Sequence, residues 1–241
     1  MATTTLVTTF TRMPSDFISN HYKILKSNLK RVVSPHHARV QLIYFNSRGR
    51  AELARWICAY GNIPYTDERI PKADWPSRKP GISGGKLPVL MVDGKQLPES
   101  LAIARYLAKQ AKLVPDDDFD AAVCDALVDT LSEMMVQVYK TMFAAAGDEE
   151  EKKKTYKEEL YPNVIAPVLV RLNERLSKRE WFIVDKVTWA DLAIGLMFGG
   201  LKMKQPEILK GFPAVEAHVN KILQIPKIKQ WNDSQGPEET F

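Results

Sequence analysis

Cysteine is scarce in this chain of 241 residues: Cys58 and Cys124 are the only two, and no C-x-x-C or metal-ligand spacing relates them. That argues against a disulfide framework and a zinc centre, and favours a reducing compartment. Histidine is almost confined to the start of the chain. His21, His36 and His37 lie within the first 38 residues and His218 stands alone beyond them, so the body has no histidine pair for a triad or a metal cluster. Long apolar runs are missing too. The longest, Leu192 to Leu201, is far too short to span a bilayer. The body also lacks a basic excess. Of the formal charge of +5, residues 1–38 carry +4 (Arg12, Lys23, Lys26, Lys30 and Arg31 against Asp16), leaving +1 for the remainder. A near-neutral body does not suit nucleic acid as the main ligand.

What is present is a globular composition, 45% hydrophobic and 26% charged, long enough for one large or two small domains. Residues 1–38 are rich in Thr, Ser and basic groups and show no clear periodicity. Two readings stand for that leader: a solvated tail on a cytoplasmic protein, or a mitochondrial-type transit peptide.

From Val40 the pattern is orderly. Val40 to Phe45 reads as a strand, Arg50 to Tyr60 as an amphipathic helix ended by Gly61, and Tyr65 to Ile70 as a second strand. A short helical segment follows near Asp74-Trp75. The stretch GGKLPVLMVDGKQLPES, Gly84 to Ser100, then gives a hairpin turning at Asp93-Gly94, with Pro88 at its entrance. Ser100 falls at the N-cap position of a helix running to Lys109. A strand edge beside a helix start suits an extended anionic peptide, because the edge offers main-chain hydrogen bonds and the helix start attracts carboxylates. The order β-α-β-α-β-β-α predicts a small sheet with helices on its faces, a thioredoxin-type arrangement without redox cysteines.

Leu113 to Asp120, containing PDDD, reads as a break, and almost everything beyond it is helical. Val123, Leu127, Leu131, Met134, Val138 and Met142 share one helix face, with Cys124, Val128, Met135 and Tyr139 on an adjoining one. So wide an apolar surface predicts contact on two sides. Tyr156, Leu160, Val164, Val168, Leu172 and Leu176 predict another long helix despite Pro162 and Pro167. Thr188 to Asp191 has the spacing of a capping box, opening a helix apolar all round and therefore central. Capping accounts for Asp191 better than catalysis does.

Five segments in order, LIYFNSRGRAELARWICAYG, DWPSRKP, GGKLPVL, VDGKQLPESLAIARYLAK and VTWADL, resemble the glutathione transferases, and the YFN-x-RGRAE start looks most like the sigma class. The resemblance runs from about Arg39 to the C-terminus. It implies a thioredoxin-like glutathione-binding domain over 39–115, an all-helical substrate-binding domain over 116–241, and a homodimer. It implies glutathione as co-substrate, no metal, and electrophilic apolar molecules as second substrates.

The resemblance also gives roles to residues. Tyr44 would hydrogen-bond the glutathione sulfur, supported by the charge of Arg50. A cysteine-type thiol has a pKa of about 8.5, and lowering it by roughly two units takes about 2.7 kcal/mol. One hydrogen bond to a charged acceptor supplies about 1.5–3 kcal/mol, so a well-aimed hydroxyl suffices without a general base. Leu87, before a cis Pro88, would pair with the cysteinyl backbone. Ser100 would take the γ-glutamyl carboxylate, and Trp75, Lys79 and Lys86 would hold the glycyl end. Glu99 stands where sigma enzymes usually have Gln and would accept from the ligand's ammonium. Glu133 of a second subunit is a candidate for the same ammonium.

Vertebrate sigma-class enzymes isomerise prostaglandin H2, but the tryptophan lining their pocket aligns with Lys140 here. Met134, Met135 and Met142 suit an adaptable apolar pocket. Conjugation of electrophiles is therefore the principal expectation. The alternatives are a glutathione-dependent prostaglandin D isomerase, a non-catalytic carrier of haem or lipids, and a crystallin-like structural relative.

Overall fold

The computed structural model describes residues 39–144 and 149–236, with no account of the side chains of 142–144. The leader and the Met142 side chain therefore lie outside the described residues. The first half is built on four strands, β1 (Val40–Phe45), β2 (Thr66–Ile70), β3 (Val89–Val92) and β4 (Lys95–Pro98), in the order β2-β1-β3-β4. β1 runs parallel to β2 and antiparallel to β3, which pairs antiparallel with β4. The β3–β4 hairpin turns through Asp93 and Gly94, both at positive φ (48° and 83°), as a two-residue Asp-Gly loop requires.

Helix α1 (Glu52–Gly61) buries Ala54, Trp56, Ile57 and Cys58. Asn62, not Gly61, supplies the left-handed C-cap, at φ 50°. The short α2 (Trp75–Arg78) and α3 (Ser100–Gln110) complete the α/β part, with Leu42, Val89, Leu90, Ile103 and Leu107 fully buried between layers. This is the thioredoxin-like arrangement, and an all-helical domain follows it.

That domain comprises α4 (Asp118–Ala144), α5 (Glu149–Thr155), α6 (Ala166–Leu176), α7 (Trp189–Lys204), α8 (Pro213–Leu223) and α9 (Pro226–Asp233). On α4, Cys124, Val128, Leu131, Met134 and Val138 face the core, whereas Val123, Leu127 and Met135 are only half-buried and Tyr139 is exposed. The expected long helix from Tyr156 to Leu176 is interrupted. Residues Tyr156–Ile165 form a wide, i→i+5 helical segment instead, because Pro162 and Pro167 remove two main-chain donors within six positions.

Helix α7 is central, as its all-round apolarity predicts: Trp189 to Gly195, Phe198 and Gly199 are buried, and it touches α1, α3, α4 and α8. Thr188 and Asp191 form its capping box. The Asp191 carboxylate is fully buried and accepts from the Thr188 N–H (2.8 Å), the Thr188 hydroxyl (2.7 Å) and the Phe182 N–H (2.9 Å). His218 Nε2 of α8 lies 3.1 Å from Oδ1, the oxygen that also takes the Phe182 N–H. Three donated bonds and a buried neighbour make Asp191 a structural hub. Among the described residues, no helix is long and apolar enough to cross a membrane.

Candidate active site at one end of the sheet

Strand register decides which residues meet. Ile43 of β1 lies opposite Val89 of β3, Val89 opposite Pro98 of β4, and Tyr44 opposite Arg69 of β2. One end of the sheet therefore carries Tyr44 at the exit of β1, Leu87 and Pro88 at the entrance of β3, and Glu99 and Ser100 just beyond β4. Trp75, five residues past β2, joins them. Its ring meets Phe45 edge-on with centroids 5.6 Å apart, and it packs with Leu87 against Ile43, Ile70, Ile82 and Val89. Eight of the predicted binding residues come from the segments that converge here; Arg50 follows Tyr44 on the β1–α1 loop.

Tyr44 is half-buried, and its hydroxyl oxygen accepts a hydrogen bond from the Arg50 main-chain N–H at 3.2 Å. Among the described residues no acceptor takes the hydroxyl proton, which leaves it for an outside partner, and a bond accepted by an oxygen strengthens the bond that oxygen donates. The contact that Arg50 makes with Tyr44 is through its backbone. Arg50 is not in the first turn of the α-helix but in a 3-10 turn, Gly49–Ala51, that precedes it, and its side chain is exposed. Gly49 takes φ 41°, and a Cβ on it would come within 2.7 Å of the Tyr44 hydroxyl oxygen.

The Leu87–Pro88 peptide is cis, and Pro88 is buried. Ser100 is the first residue of α3, so the expected N-cap role passes to Glu99, which sits at φ 71° and ψ 115° with an exposed side chain that makes no capping bond. The Glu99 carbonyl accepts from the Ile103 N–H at 2.9 Å. The earlier N–H groups of α3 have no i−4 partner inside the helix, which is what an anion needs. Lys79 and Lys86 are exposed on the connection into β3, and the Lys79 stem runs close to Gly85. Together these groups offer a hydroxyl donor, the Leu87 main chain ahead of β3, a helix start and two ammonium groups at this end of the sheet.

Other predicted residues lie elsewhere. Glu133 and Lys140 are exposed on α4, and Thr188 and Asp191 are sealed inside the helical domain. Among the described residues no group of three His, Cys, Asp or Glu side chains could hold a metal ion. Both cysteines are buried. Burial, reinforced by Asp67, pushes the Cys58 thiol up to about 12; burial raises Cys124 to about 11 despite a hydrogen bond with Thr188.

One group of residues was missed in the sequence. Arg55 of α1 is fully buried. Its Nη1 donates to the Ser47 carbonyl (2.8 Å) and the Arg48 carbonyl (3.3 Å) and pairs with Glu52 (3.1 Å), while its Nε donates to Asp67 (3.1 Å). Glu52 in turn accepts from the Trp231 indole at 2.8 Å, and Asp67 from Arg69 Nε at 2.8 Å. The available signal was spacing: Ala51, Arg55 and Cys58 stand at i, i+4 and i+7, so the charge occupies a core position.

Comparison with known proteins gives consistent matches. Residues 40–109 match the description "Glutathione S-transferase, N-terminal domain" and residues 132–235 "Glutathione S-transferase, C-terminal domain". Hematopoietic prostaglandin D synthase of Rattus norvegicus is 39% identical over 191 residues, spanning 79% of this chain and 94% of that protein. A glutathione S-transferase of Anopheles gambiae is 32% identical over 193 residues with the same coverage. Among solved structures, monomeric Na-GST-3 of the hookworm Necator americanus superposes with a TM-score of 0.78 at 30% identity, over 84% of this chain and all of that one. The rat prostaglandin D synthase complexed with a quinoline gives 0.74 at 37% identity, again over 84% of this chain and all of the other.

Proposed function

This chain belongs to the glutathione S-transferase family, and from that premise we propose that it binds glutathione along the sheet end and adds the thiolate to electrophilic, largely apolar small molecules. The observation that carries this reading is the Tyr44 hydroxyl, which accepts from the Arg50 N–H and keeps its proton for a sulfur. Leu87 would align the cysteinyl backbone. The start of α3 with Ser100 would take the γ-glutamyl carboxylate, and Glu99 its ammonium. Trp75, Lys79 and Lys86 would hold the glycyl carboxylate. Holding the thiolate near its target and stabilising its charge supply the rate.

We read the chain as a sigma-type homodimer. The half-buried Val123, Leu127 and Met135 on α4 support a second subunit on that face, and Glu133 on the same helix is within the region that such a partner would present. Sedimentation at micromolar concentration tests the dimer: a monomer peak alone refutes it.

The deciding experiment is conjugation of glutathione to a chlorinated nitrobenzene by the parent and Tyr44→Phe. Loss of one bond to a charged acceptor worth about 1.5–3 kcal/mol lowers kcat/KM at pH 6.5 by roughly 10- to 100-fold. Equal rates in the two proteins sink the reading. Four relatives named hematopoietic prostaglandin D synthase, at 35–40% identity, favour a second reading as a glutathione-dependent isomerase. Turnover of prostaglandin H2 that exceeds conjugation would put that activity first.

A further inference from the structure

The loop that aims the Tyr44 hydroxyl is held from behind, and the hold reaches the far end of the chain. Arg55 fastens the two consecutive carbonyls of Ser47 and Arg48, directly ahead of the Gly49–Ala51 turn whose Arg50 N–H meets Tyr44. Its guanidinium carbon also lies 5.9 Å from the centroid of the Tyr44 ring. Arg55 keeps that position through Glu52 and Asp67; α9 holds the first directly, and Gln235, two residues past its end, reaches the second through Arg69. The Trp231 indole donates to Glu52 at 2.8 Å, and Arg69, which binds Asp67, donates to Gln235 Oε1 at 2.6 Å. A third bond, from the Trp56 indole to Asn232 at 3.1 Å, docks α9 on α1.

The ionisable groups in this cluster are Arg55 and Arg69 against Glu52 and Asp67, with the Cys58 thiol and the Tyr65 hydroxyl beside them. Two cations face two acids, so the formal charges within the cluster cancel, and its grip on the Ser47 and Arg48 carbonyls is what reaches the Tyr44 loop. We propose that Arg55 is a positioning residue for the Tyr44 hydroxyl and that Trp231 and Gln235 brace it, so that the C-terminal helix sets how readily the bound thiol ionises. The inference rests on the reading of Tyr44 as the sulfur's hydrogen-bond donor.

The test uses the full chain and follows the ultraviolet absorbance of bound glutathione thiolate against pH in the parent, Tyr44→Phe, Trp231→Phe, Arg55→Lys and Lys229→Ala. Trp231→Phe keeps the ring but removes the donor to Glu52. Its thiolate midpoint should rise by about half a pH unit or more, with kcat/KM about threefold lower at pH 6.5 and converging on the parent near pH 9. KM for glutathione should stay within about twofold of the parent, a split that simple loosening of the fold does not produce. Arg55→Lys retains the charge but cannot fork across two carbonyls and two carboxylates. It should shift at least as far, and if it does not fold, Trp231→Phe decides alone. Lys229→Ala breaks only the exposed Lys229–Asp233 pair on the same helix and should superimpose on the parent. Should Trp231→Phe titrate like the parent while Tyr44→Phe shifts, the brace is refuted and the role of Tyr44 stands. An equal shift in Lys229→Ala also refutes it, since any weakening of α9 would then suffice. If Tyr44→Phe itself does not shift, the reading of Tyr44 falls and the inference falls with it.

Discussion

Gly49 and the Tyr44 hydroxyl occupy adjoining space with no room for a methyl group between them: a Cβ on Gly49 would lie 2.7 Å from the hydroxyl oxygen and 2.9 Å from the ring. The same glycine holds φ 41°, a conformation other residues adopt at a cost of about 1–3 kcal/mol. Gly49→Ala should therefore push the hydroxyl off its line to the Arg50 N–H. The expected result is a loss of about tenfold or more in kcat/KM at pH 6.5, with a stability loss of about 1–3 kcal/mol in urea. An alanine variant with parental turnover would show that the hydroxyl's position is not critical.

Asp191→Ala removes the acceptor of three buried donors at once. From capping alone about 1–2 kcal/mol is expected; stranding buried partners raises that to about 3–5 kcal/mol. Urea denaturation measures the loss. Turnover per folded molecule at low temperature should stay near the parent, and a catalytic defect at unchanged stability would contradict the structural role.

Two glycines of α7 should respond in opposite directions. A Cβ on Gly195 would stand 2.6 Å from Cβ of Ile222 on α8, so Gly195→Ala overpacks the crossing and costs about 1–3 kcal/mol. Gly200 is exposed with nothing within 4 Å, and Gly200→Ala should gain about 0.5–1 kcal/mol from helix propensity. Paired thermal melts check both signs.

The cysteines give a pH dependence. Cys58 and Cys124 have thiols raised to about 12 and about 11, above the unfolded reference of 9.0. The folded state therefore holds these protons more tightly. That stability is complete below pH 9 and is lost as pH climbs from 9 through 11 and 12. Urea midpoints should fall across this window, and less so in a Cys58→Ala, Cys124→Ala double variant relative to its own value at pH 8. Neither native thiol should react with a disulfide reagent at pH 8, whereas both should react in denaturant.

Much of the fold was legible because it is written in short-range patterns. The β-rich run from Val40 to Phe45, the Asp93-Gly94 turn and the Thr188–Asp191 box each specify their element within a few residues. Those elements marked the sheet end as a place for an extended anionic peptide, whereas the residue roles came only from the family resemblance. What escaped depends on distance or on competition. The partnership of Glu52 with Trp231 spans 179 positions, and two polar-bearing side chains in separate amphipathic helices look like ordinary surface until the fold joins them. Arg50 was legible as a residue but not as a backbone donor, since a main-chain N–H leaves no mark on composition. The interrupted helix near Pro162 was misjudged because apolar spacing outvoted the prolines. Spacing reports which face is buried; it does not report which carbonyl lacks a donor.

The indole–carboxylate bond between Trp231 and Glu52 has a consequence for biosynthesis. A ribosome delivers Glu52 and the tyrosine loop early, yet the indole that completes the bonding of this buried acid arrives 179 residues later. A nascent thioredoxin-like half would hold Glu52 against Arg55 alone, without the indole donor, until α9 emerged. The brace behind the tyrosine loop would thus be completed in one late event, when α9 folds back onto α1.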